Sequence, residues 1–271
     1  MIKKIMDKIN VKDINLSSLE RLSQQGTKST IYRDNNRCIK MLDGFLDEEK
    51  DALFKKFLEM DGIKIDGVLL PKELIVLDGK LEGYTMDYFK SSIPLSDRFM
   101  VRHVDCRLLF DYVYKASKIL REIHNSGIVC QDLSFENILV DINGNVKYCD
   151  LDGCSYNGSL SPFISILMKR FFIDYRKEKI MVNPNLDRIS MLLSFFFIVY
   201  AKEIQKVSKR QYHKLSDEIS TLDNLRGCAN ILVDRSNHIG EIPYLDEMIN
   251  LDDDTVYDRD KQLSLIRRIF I

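Results

Sequence analysis

The sequence predicts an α+β fold in which a small, strand-rich N-terminal part precedes a larger, helix-rich part. Short apolar segments separated by turn residues fill residues 19–90, which is typical of strands. A long amphipathic stretch at 108–127 and a very apolar stretch after Asp187 indicate helices. The change of character near Phe89–Pro94 predicts a boundary between two lobes, and a cleft between two such parts is a common place for a ligand.

Composition narrows the class of protein. Of the 271 residues, 45% are hydrophobic and 30% are charged, so the chain is able to build a core. Lys plus Arg number 40 against 41 for Asp plus Glu, which argues against a protein that binds nucleic acid through bulk positive charge. The six cysteines include no Cys-x-x-Cys pair and only four histidines are present, so we expect neither a structural zinc site nor a disulfide framework.

We expect no targeting segment and no membrane span. The first ten residues, MIKKIMDKIN, contain no continuous apolar run of the signal-peptide kind. The most apolar stretch, Met191–Ala201, is shorter than the ~20 residues that a bilayer-spanning helix needs, and it predicts a buried helix instead. The expected location is the cytoplasm, and delivery as a secreted effector stays open as an alternative.

The N-terminal part is predicted to begin with a helical or irregular lead-in at 1–18, followed by a lobe at 19–90. Within this lobe, apolar residues recur with helical spacing over 46–60. Asp78-Gly79 predicts a hairpin turn between two strands. Strands are predicted at 19–23, 30–34, 37–42, 68–71, 72–78 and 80–89.

The C-terminal part, residues 91–271, is predicted to be mostly helical. Its first long helix covers 108–127, with Gly127 as the residue that ends it. Asn143-Gly144, the strongest short signal for a hairpin, lies between two apolar strands. Beyond Asp187 the pattern is helical throughout.

One stretch, residues 123–153, contains polar residues at a spacing that indicates a catalytic site. Asn137 follows Asp132 by five positions, and Asp150 follows Asn137 by thirteen with the hairpin in between. This arrangement resembles the catalytic region of the protein kinases, in which H-R-D-L-x-x-x-N is followed by D-F-G. Without the resemblance, Asp132 and Asn137 would cap a turn and Asp150 would lie in a loop at the end of a strand.

The resemblance implies a role in phosphoryl transfer for each of these residues. Asp132 would be the catalytic base that orients the attacking hydroxyl and accepts its proton. Asn137 and Asp150 would supply oxygen ligands for Mg²⁺, or for Mn²⁺, which neutralises charge on the phosphates. ATP is the implied phosphate donor.

Two segments of the N-terminal lobe resemble the phosphate-binding parts of the family. Gly26 aligns with the second glycine of the glycine-rich loop, while other residues replace the first and third glycines. The segment that ends at Lys40 resembles the V-A-I-K strand, so Lys40 would bind the α- and β-phosphates and pair with an acid on the next helix. Glu49, on the apolar stripe of that helix, is the expected partner, and Glu48 is the runner-up.

The segment Leu81–Phe89 resembles the strand and hinge that hold the adenine ring. By this resemblance Met86 would be the gatekeeper, and the backbones of Asp87 and Phe89 would form hydrogen bonds with the adenine edge. Leu139 resembles the residue that forms the apolar floor under the base.

Asp187 opens the most hydrophobic helix of the chain and resembles the acid that braces the backbone of the catalytic loop. The alternative is an acid that merely stabilises the N-terminus of its helix through the helix dipole. The likeness covers roughly residues 19–201 and implies one bilobal protein kinase-like domain of the compact, atypical bacterial Ser/Thr type. Residues 202–271 match nothing specific beyond helices.

Four features depart from the family pattern. Cys130-Gln131 replaces the His-Arg pair before Asp132, and Asp152 replaces the Gly of D-F-G. Ser134 replaces the Lys that Ser/Thr-directed enzymes have two positions after the catalytic acid. No Ala-Pro-Glu occurs near residue 183, where the family builds its platform for a peptide substrate. We therefore expect atypical regulation, loop geometry and substrate binding.

The leading hypothesis is a Ser/Thr protein kinase that transfers the ATP γ-phosphate to a hydroxyl with Mg²⁺. The second hypothesis is a small-molecule kinase of the aminoglycoside and choline kinase type, and the third is a nucleotide-binding pseudokinase that serves as an interaction module. Transfer of another part of ATP, such as AMP, is a further alternative. The expected partners are ATP and a protein or small-molecule acceptor, with no nucleic acid.

Overall fold

The computed structural model describes residues 6–23, 28–100, 106–158, 184–192 and 242–248. These residues form a mixed α+β structure that divides into two compact units. Unit 1 comprises the described residues up to Ser91 together with Cys149–Asp152. Unit 2 comprises Ser92–Tyr148 and the described residues from Gly153 on.

Unit 1 is built on a sheet with six described strands and one described α-helix. The elements are β1 (Asp7–Asn10), β2 (Glu20–Ser23), β3 (Thr30–Asp34), β4 (Arg37–Met41), α1 (Asp47–Glu59), β5 (Glu73–Leu77) and β6 (Lys80–Asp87). The strand order across the sheet is β1-β5-β6-β4-β3-β2. β1 runs parallel to β5, and the other neighbouring strands are antiparallel.

The two faces of this sheet are covered by different segments. Ile39 on β4 and Ile75 on β5 belong to a buried cluster on one face, and apolar residues of the segment 11–19 pack against it. On the other face, Phe57 of α1 contacts Tyr84 of β6 edge to face, with ring centroids 5.2 Å apart. Because side chains alternate along a strand, Lys40 lies on the face that α1 covers.

Gly83 lets β6 approach β4 closely next to Lys40. A Cβ atom at position 83 would lie 2.4 Å from the backbone oxygen of Lys40. Contacts that short are incompatible with an ordinary side chain, so the glycine is required by the spacing of the two backbones. The close approach places Lys40 directly opposite Tyr84 in the register of the two strands.

Unit 2 combines helices with two small sheets. The elements are β7 (Ser92–Pro94), α2 (Leu95–Met100), α3 (Cys106–Asn125), β8 (Ile128–Val129), β9 (Ile138–Asp141), β10 (Val146–Tyr148), β11 (Ser155–Tyr156), the helical residues 184–192 as α4, and α5 (Leu245–Met248). The strand orders are β10-β9-β7 and β11-β8. The buried side of α3 packs against β10, where the Tyr148 hydroxyl donates a hydrogen bond to the Ala116 backbone oxygen over 2.9 Å.

The turn signals of the sequence are confirmed. Asp78 and Gly79 join β5 to β6 with φ values of 50° and 85°, as a tight hairpin with a left-handed backbone requires. Gly144, with a φ of 79°, lies in the turn between β9 and β10. Gly127, also with a φ of 79°, ends α3 and donates its N–H to the His124 backbone oxygen over 2.9 Å.

Two expectations for unit 1 were wrong. The lead-in, expected to be helical or irregular, contains β1, which pairs with β5 in a register that sets Ile9 beside Ile75. The segment 68–71, expected to be a strand, is not one, because it follows a turn at Gly67 and ends in Pro71, which has no N–H for a ladder. For β1, pairing with a distant strand decided the structure.

Several predicted features fall outside the described residues. Gly26 and most of the apolar stretch 191–201 are among them, although Met191 and Leu192 are helical and buried. The helices expected beyond residue 201 also lie outside, apart from α5. In the part of the chain that the structure describes, no helix combines the length and apolarity needed to cross a bilayer.

We expect Gly83→Ala to lower the free energy of unfolding by about 1–3 kcal/mol, the usual cost of overpacking a well-packed region. The added methyl group meets the backbone of Lys40, which no change of rotamer can move away. Urea unfolding followed by circular dichroism measures the change. Lys80→Ala, at an exposed position of the same strand, is the control, and an unchanged midpoint for Gly83→Ala would contradict the close approach of β4 and β6.

Candidate active site

Lys40 is a buried lysine on β4 whose ammonium lies between two carboxylates. Its Nζ is 2.6 Å from Oδ1 of Asp150 and 2.7 Å from Oδ2 of Asp152, and its side chain is 4% exposed. Burial alone would lower the pKa of Lys40, but the nearby carboxylates, above all that of Asp152, raise it well above its ordinary value. Lys40 is therefore charged at neutral pH.

The two carboxylates next to Lys40 have different surroundings. The side chain of Asp150 is 47% exposed, whereas that of Asp152 is 6% exposed. The Tyr84 hydroxyl donates a hydrogen bond to Oδ1 of Asp152 over 2.6 Å, and the Lys56 ammonium donates one to the Asp152 backbone oxygen. Asp152 is thus part of the interior of unit 1, while Asp150 is accessible.

Local structure explains why these groups meet. Lys40 and Tyr84 are cross-strand partners, so their side chains lie side by side on the face of the sheet that α1 covers. Lys56 is buried on α1 together with Leu53 and Phe57. Asp150 has a left-handed φ of 60°, which turns the chain sharply just before the short helical turn that contains Asp152.

The expected ion pair between Lys40 and Glu49 is not formed. Oε1 of Glu49 lies 2.6 Å from Nζ of Lys28, and Oε2 accepts a hydrogen bond from the backbone N–H of Leu46 over 3.0 Å. Burial alone would raise the pKa of Glu49, but these two bonds lower it below its ordinary value. Glu49 caps the start of its own helix, and a role of Glu49 toward a nucleotide stays a prediction. Glu48, the runner-up, is exposed.

In unit 2, Asp187 holds the backbone just before Asp132. Its buried carboxylate accepts hydrogen bonds from the N–H groups of Cys130 over 2.6 Å and of Gln131 over 2.9 Å. Gln131 has a left-handed φ of 59°, so the chain turns sharply at this residue. The prediction that Asp187 braces this loop is confirmed.

Sequence reasoning missed His124 as a second part of this brace. Its Nε2 lies 3.0 Å from Oδ2 of Asp187, and its Nδ1 lies 2.8 Å from the hydroxyl of Tyr244. His124 follows Leu120 by four positions on the buried side of α3. That helical spacing was the one feature of the sequence that could have predicted an inward-facing His124. Burial, and then the Asp187 carboxylate, raise the pKa of the Cys130 thiol well above its ordinary value, so this thiol is neutral.

Asp132 and Asn137 are brought together as their spacing predicted. The Nδ2 group of Asn137 donates a hydrogen bond to the Asp132 backbone oxygen over 3.0 Å. Between them, Leu133 and Phe135 are buried and anchor the loop, while the side chain of Asp132 is exposed. The loop therefore exposes the Asp132 carboxylate on a backbone that Asp187 holds before it and Asn137 holds after it.

The residues predicted to hold adenine are distributed over both units. Met86 is buried on β6 opposite Cys38, and Asp87 ends the strand with an exposed side chain that pairs with Lys72 over 2.6 Å. Phe89 follows β6 and is half-buried, as is Leu139 on β9 in unit 2. Their roles toward a nucleotide stay predictions.

Asp150 and Asn137 have the chemistry that a hard divalent cation requires. Carboxylate and amide oxygens are ligands that Mg²⁺ accepts, usually one or two from the protein with the rest from phosphates and water. Of the two carboxylates beside Lys40, only that of Asp150 is accessible. Among the described residues, no three His, Cys, Asp or Glu side chains gather in a group able to hold a metal ion.

Comparison with known proteins finds a local likeness to a protein kinase. No protein-family model matches the chain. A stretch of 79 residues, 29% of the chain, is 35% identical to NUAK family SNF1-like kinase 2 of Rattus norvegicus. That stretch corresponds to 11% of the relative's length, so the likeness concerns a small part of a much longer protein.

We expect Asp187→Ala to lower the free energy of unfolding by about 2–5 kcal/mol, because two backbone N–H groups and His124 lose a buried acceptor. Urea unfolding at neutral pH measures this change. The control is Asp111→Asn, which removes an exposed ion pair with Lys115 on α3 and should cost less than about 1 kcal/mol. Equal effects of the two substitutions would contradict the bracing role of Asp187.

Proposed function

We propose that the chain is an ATP-dependent phosphotransferase of the protein kinase-like class, which transfers the γ-phosphate to a hydroxyl group. In the leading form of the proposal the acceptor is a Ser or Thr residue of a protein. The observation that carries the proposal is the ion pair between buried Lys40 and half-exposed Asp150, two residues 110 positions apart. A buried ammonium next to an accessible carboxylate combines a phosphate-binding cation with a candidate metal ligand.

Each predicted catalytic residue has a property that supports its proposed role. Lys40 is charged at neutral pH, as a residue that binds the α- and β-phosphates must be. Asp132 is exposed, so an acceptor hydroxyl can reach it, and it would orient that hydroxyl and accept its proton. Asn137 and Asp150 would hold Mg²⁺, which neutralises the phosphate charge when bound.

The proposal includes a bilobal kinase-like fold, in which unit 1 corresponds to the small lobe and unit 2 to the large lobe. The strand-rich composition of unit 1 and the helices of unit 2 support this correspondence, and the local likeness to a protein kinase supports the class. A cytoplasmic location with a supply of ATP and Mg²⁺ is part of the same proposal.

A small-molecule kinase is the second candidate, and Ser134 is the observation that favours it. Ser/Thr-directed kinases have a lysine two positions after the catalytic acid, and Ser134 leaves that position without positive charge. Its backbone is extended and precedes the turn Phe135–Asn137. The absence of Ala-Pro-Glu near residue 183 points in the same direction.

One labelling experiment tests the proposal and separates the candidates. Purified protein is incubated with γ-labelled ATP, Mg²⁺ or Mn²⁺, a generic protein substrate and a panel of aminoglycosides and choline-like alcohols. Label in protein supports the leading form, and label in a small molecule supports the second candidate. If no acceptor is labelled although the protein binds ATP, the proposed γ-phosphate transfer is wrong. The chain is then either a pseudokinase or an enzyme that transfers AMP, and α-labelled ATP separates the two because only AMP transfer places that label on the acceptor.

We expect Asp132→Asn to lower turnover by ~10²–10⁴, the usual contribution of general acid–base catalysis. The affinity for ATP and the unfolding midpoint should stay nearly unchanged, because the Asp132 side chain is exposed. Rate assays with ATP in excess and a thermal-shift titration provide the two measurements. Glu136→Gln removes an exposed acid from the same loop and is the control; a mutant at position 132 as active as wild type would refute the assignment.

We expect Asp150→Ala to abolish the Mg²⁺ dependence of ATP binding, since it removes the accessible carboxylate of the pair beside Lys40. Calorimetric titrations with Mg²⁺ and with EDTA measure this dependence. Asp66→Ala, at an exposed acid of the same unit, should retain it. Asp152→Ala should weaken ATP binding yet keep the Mg²⁺ dependence, and the reverse ranking of positions 150 and 152 would show that the metal ligand is misassigned.

A further inference from the structure

Three contacts fix Asp152 in the interior of unit 1. Its Oδ2 lies 2.7 Å from Nζ of Lys40, its Oδ1 accepts a hydrogen bond from the Tyr84 hydroxyl over 2.6 Å, and its backbone oxygen accepts one from Lys56. These partners come from β4, β6 and α1. The carboxylate is therefore held by the fold of the unit, with no need of a bound molecule.

Glu49, the acid of α1 that was expected to pair with Lys40, binds other groups. Both carboxylate oxygens of Glu49 have partners, the Lys28 ammonium and the backbone N–H of Leu46. The carboxylates that contact Lys40 come instead from Asp150 and Asp152. Since a buried ammonium without a counter-charge is strongly unfavourable, at least one of these two acids must stay with Lys40 whenever the protein is folded.

We propose that Asp152 is the positioning residue that holds Lys40, in place of an acid on α1. The proposal rests on the phosphotransferase function proposed above, because Lys40 is taken there as the phosphate-binding lysine. Asp150 is accessible and is thus available to a metal ion, while enclosed Asp152 stays on the ammonium. The residue that replaces the glycine of the family pattern thereby supplies the counter-charge that α1 does not.

Steady-state ATP hydrolysis in the absence of an acceptor tests the positioning role. We expect Asp152→Asn to raise the KM for ATP about ten-fold, and Asp152→Glu, which keeps the carboxylate, to restore part of that loss. A merely structural effect would reduce the folded fraction and so lower kcat without a change in KM. Glu82→Gln breaks a different lysine–carboxylate pair, between Glu82 of β6 and Lys50 of α1 at 2.6 Å, and should leave the KM within about two-fold.

Two results of the hydrolysis assay would overturn the proposal. One is a KM for ATP in Asp152→Asn equal to that of wild type. The other is a larger increase in KM for Glu49→Gln than for Asp152→Asn. If Asp152→Asn does not fold, Tyr84→Phe replaces it: this variant keeps the ring, removes the hydroxyl that holds Oδ1, and should raise the KM in the same direction.

A double-mutant cycle, measured by unfolding in urea, tests which acid pairs with Lys40. This measurement does not require the protein to have enzymatic activity. Lys40→Met and Asp152→Asn are combined, and unfolding equilibrium constants are measured for the singles and the double. We expect the effect of Asp152→Asn to be about ten-fold smaller in the Lys40→Met background, as for residues in direct contact. Glu49→Gln should have equal effects in both backgrounds, and coupling of Lys40 to Glu49 instead of Asp152 would overturn the proposal.

The hydrolysis assay and the double-mutant cycle together separate failure of this inference from failure of the proposed function. A wild-type protein that neither binds nor hydrolyses ATP would refute the phosphotransferase, while the cycle would still report which acid holds Lys40. A wild-type protein that transfers phosphate, together with an uncoupled Lys40 and Asp152, would refute the inference and leave the function intact.

Discussion

An ammonium group shielded from water needs a carboxylate beside it, and unit 1 is organised around that requirement at Lys40. Gly83 brings β6 close enough to set Tyr84 beside the lysine, and Tyr84 in turn holds Asp152. The segment Cys149–Asp152 belongs to this unit although the chain on either side of it belongs to unit 2. The Lys40–Asp152 and Lys40–Asp150 ion pairs, together with the hydrogen bond from the Tyr84 hydroxyl to Asp152, join this segment to the sheet.

Features that depend on neighbouring residues were the ones that the sequence predicted well. The turns at Asp78-Gly79 and Asn143-Gly144 follow from left-handed backbone that few residue types adopt, and the end of α3 at Gly127 follows for the same reason. β1 was missed because its residues are mostly polar, and its strand conformation depends on pairing with β5 more than sixty positions away. No local pattern contains that information.

The same distinction between local and long-range contacts applies to the candidate site. Asp132 and Asn137 are five positions apart, so one loop was enough to predict that they meet. The partner of Lys40 was not predictable in this way, because Glu49, Asp150 and Asp152 are all acids that the chain could bring to one ammonium. The choice depended on Lys28, which engages Glu49, and no spacing rule connects those two residues.

The pairing of β1 with β5 has a consequence for any shortened version of the protein. β5, with the sequence ELIVL, is apolar, and without a neighbour it would present a free row of N–H and C=O groups on which another chain could aggregate. β1, with the sequence DKIN, is short, charged and largely exposed, which are the properties of strands that resist such contacts. A protein trimmed to the residues that resemble a kinase would lose this protective edge and be prone to precipitate.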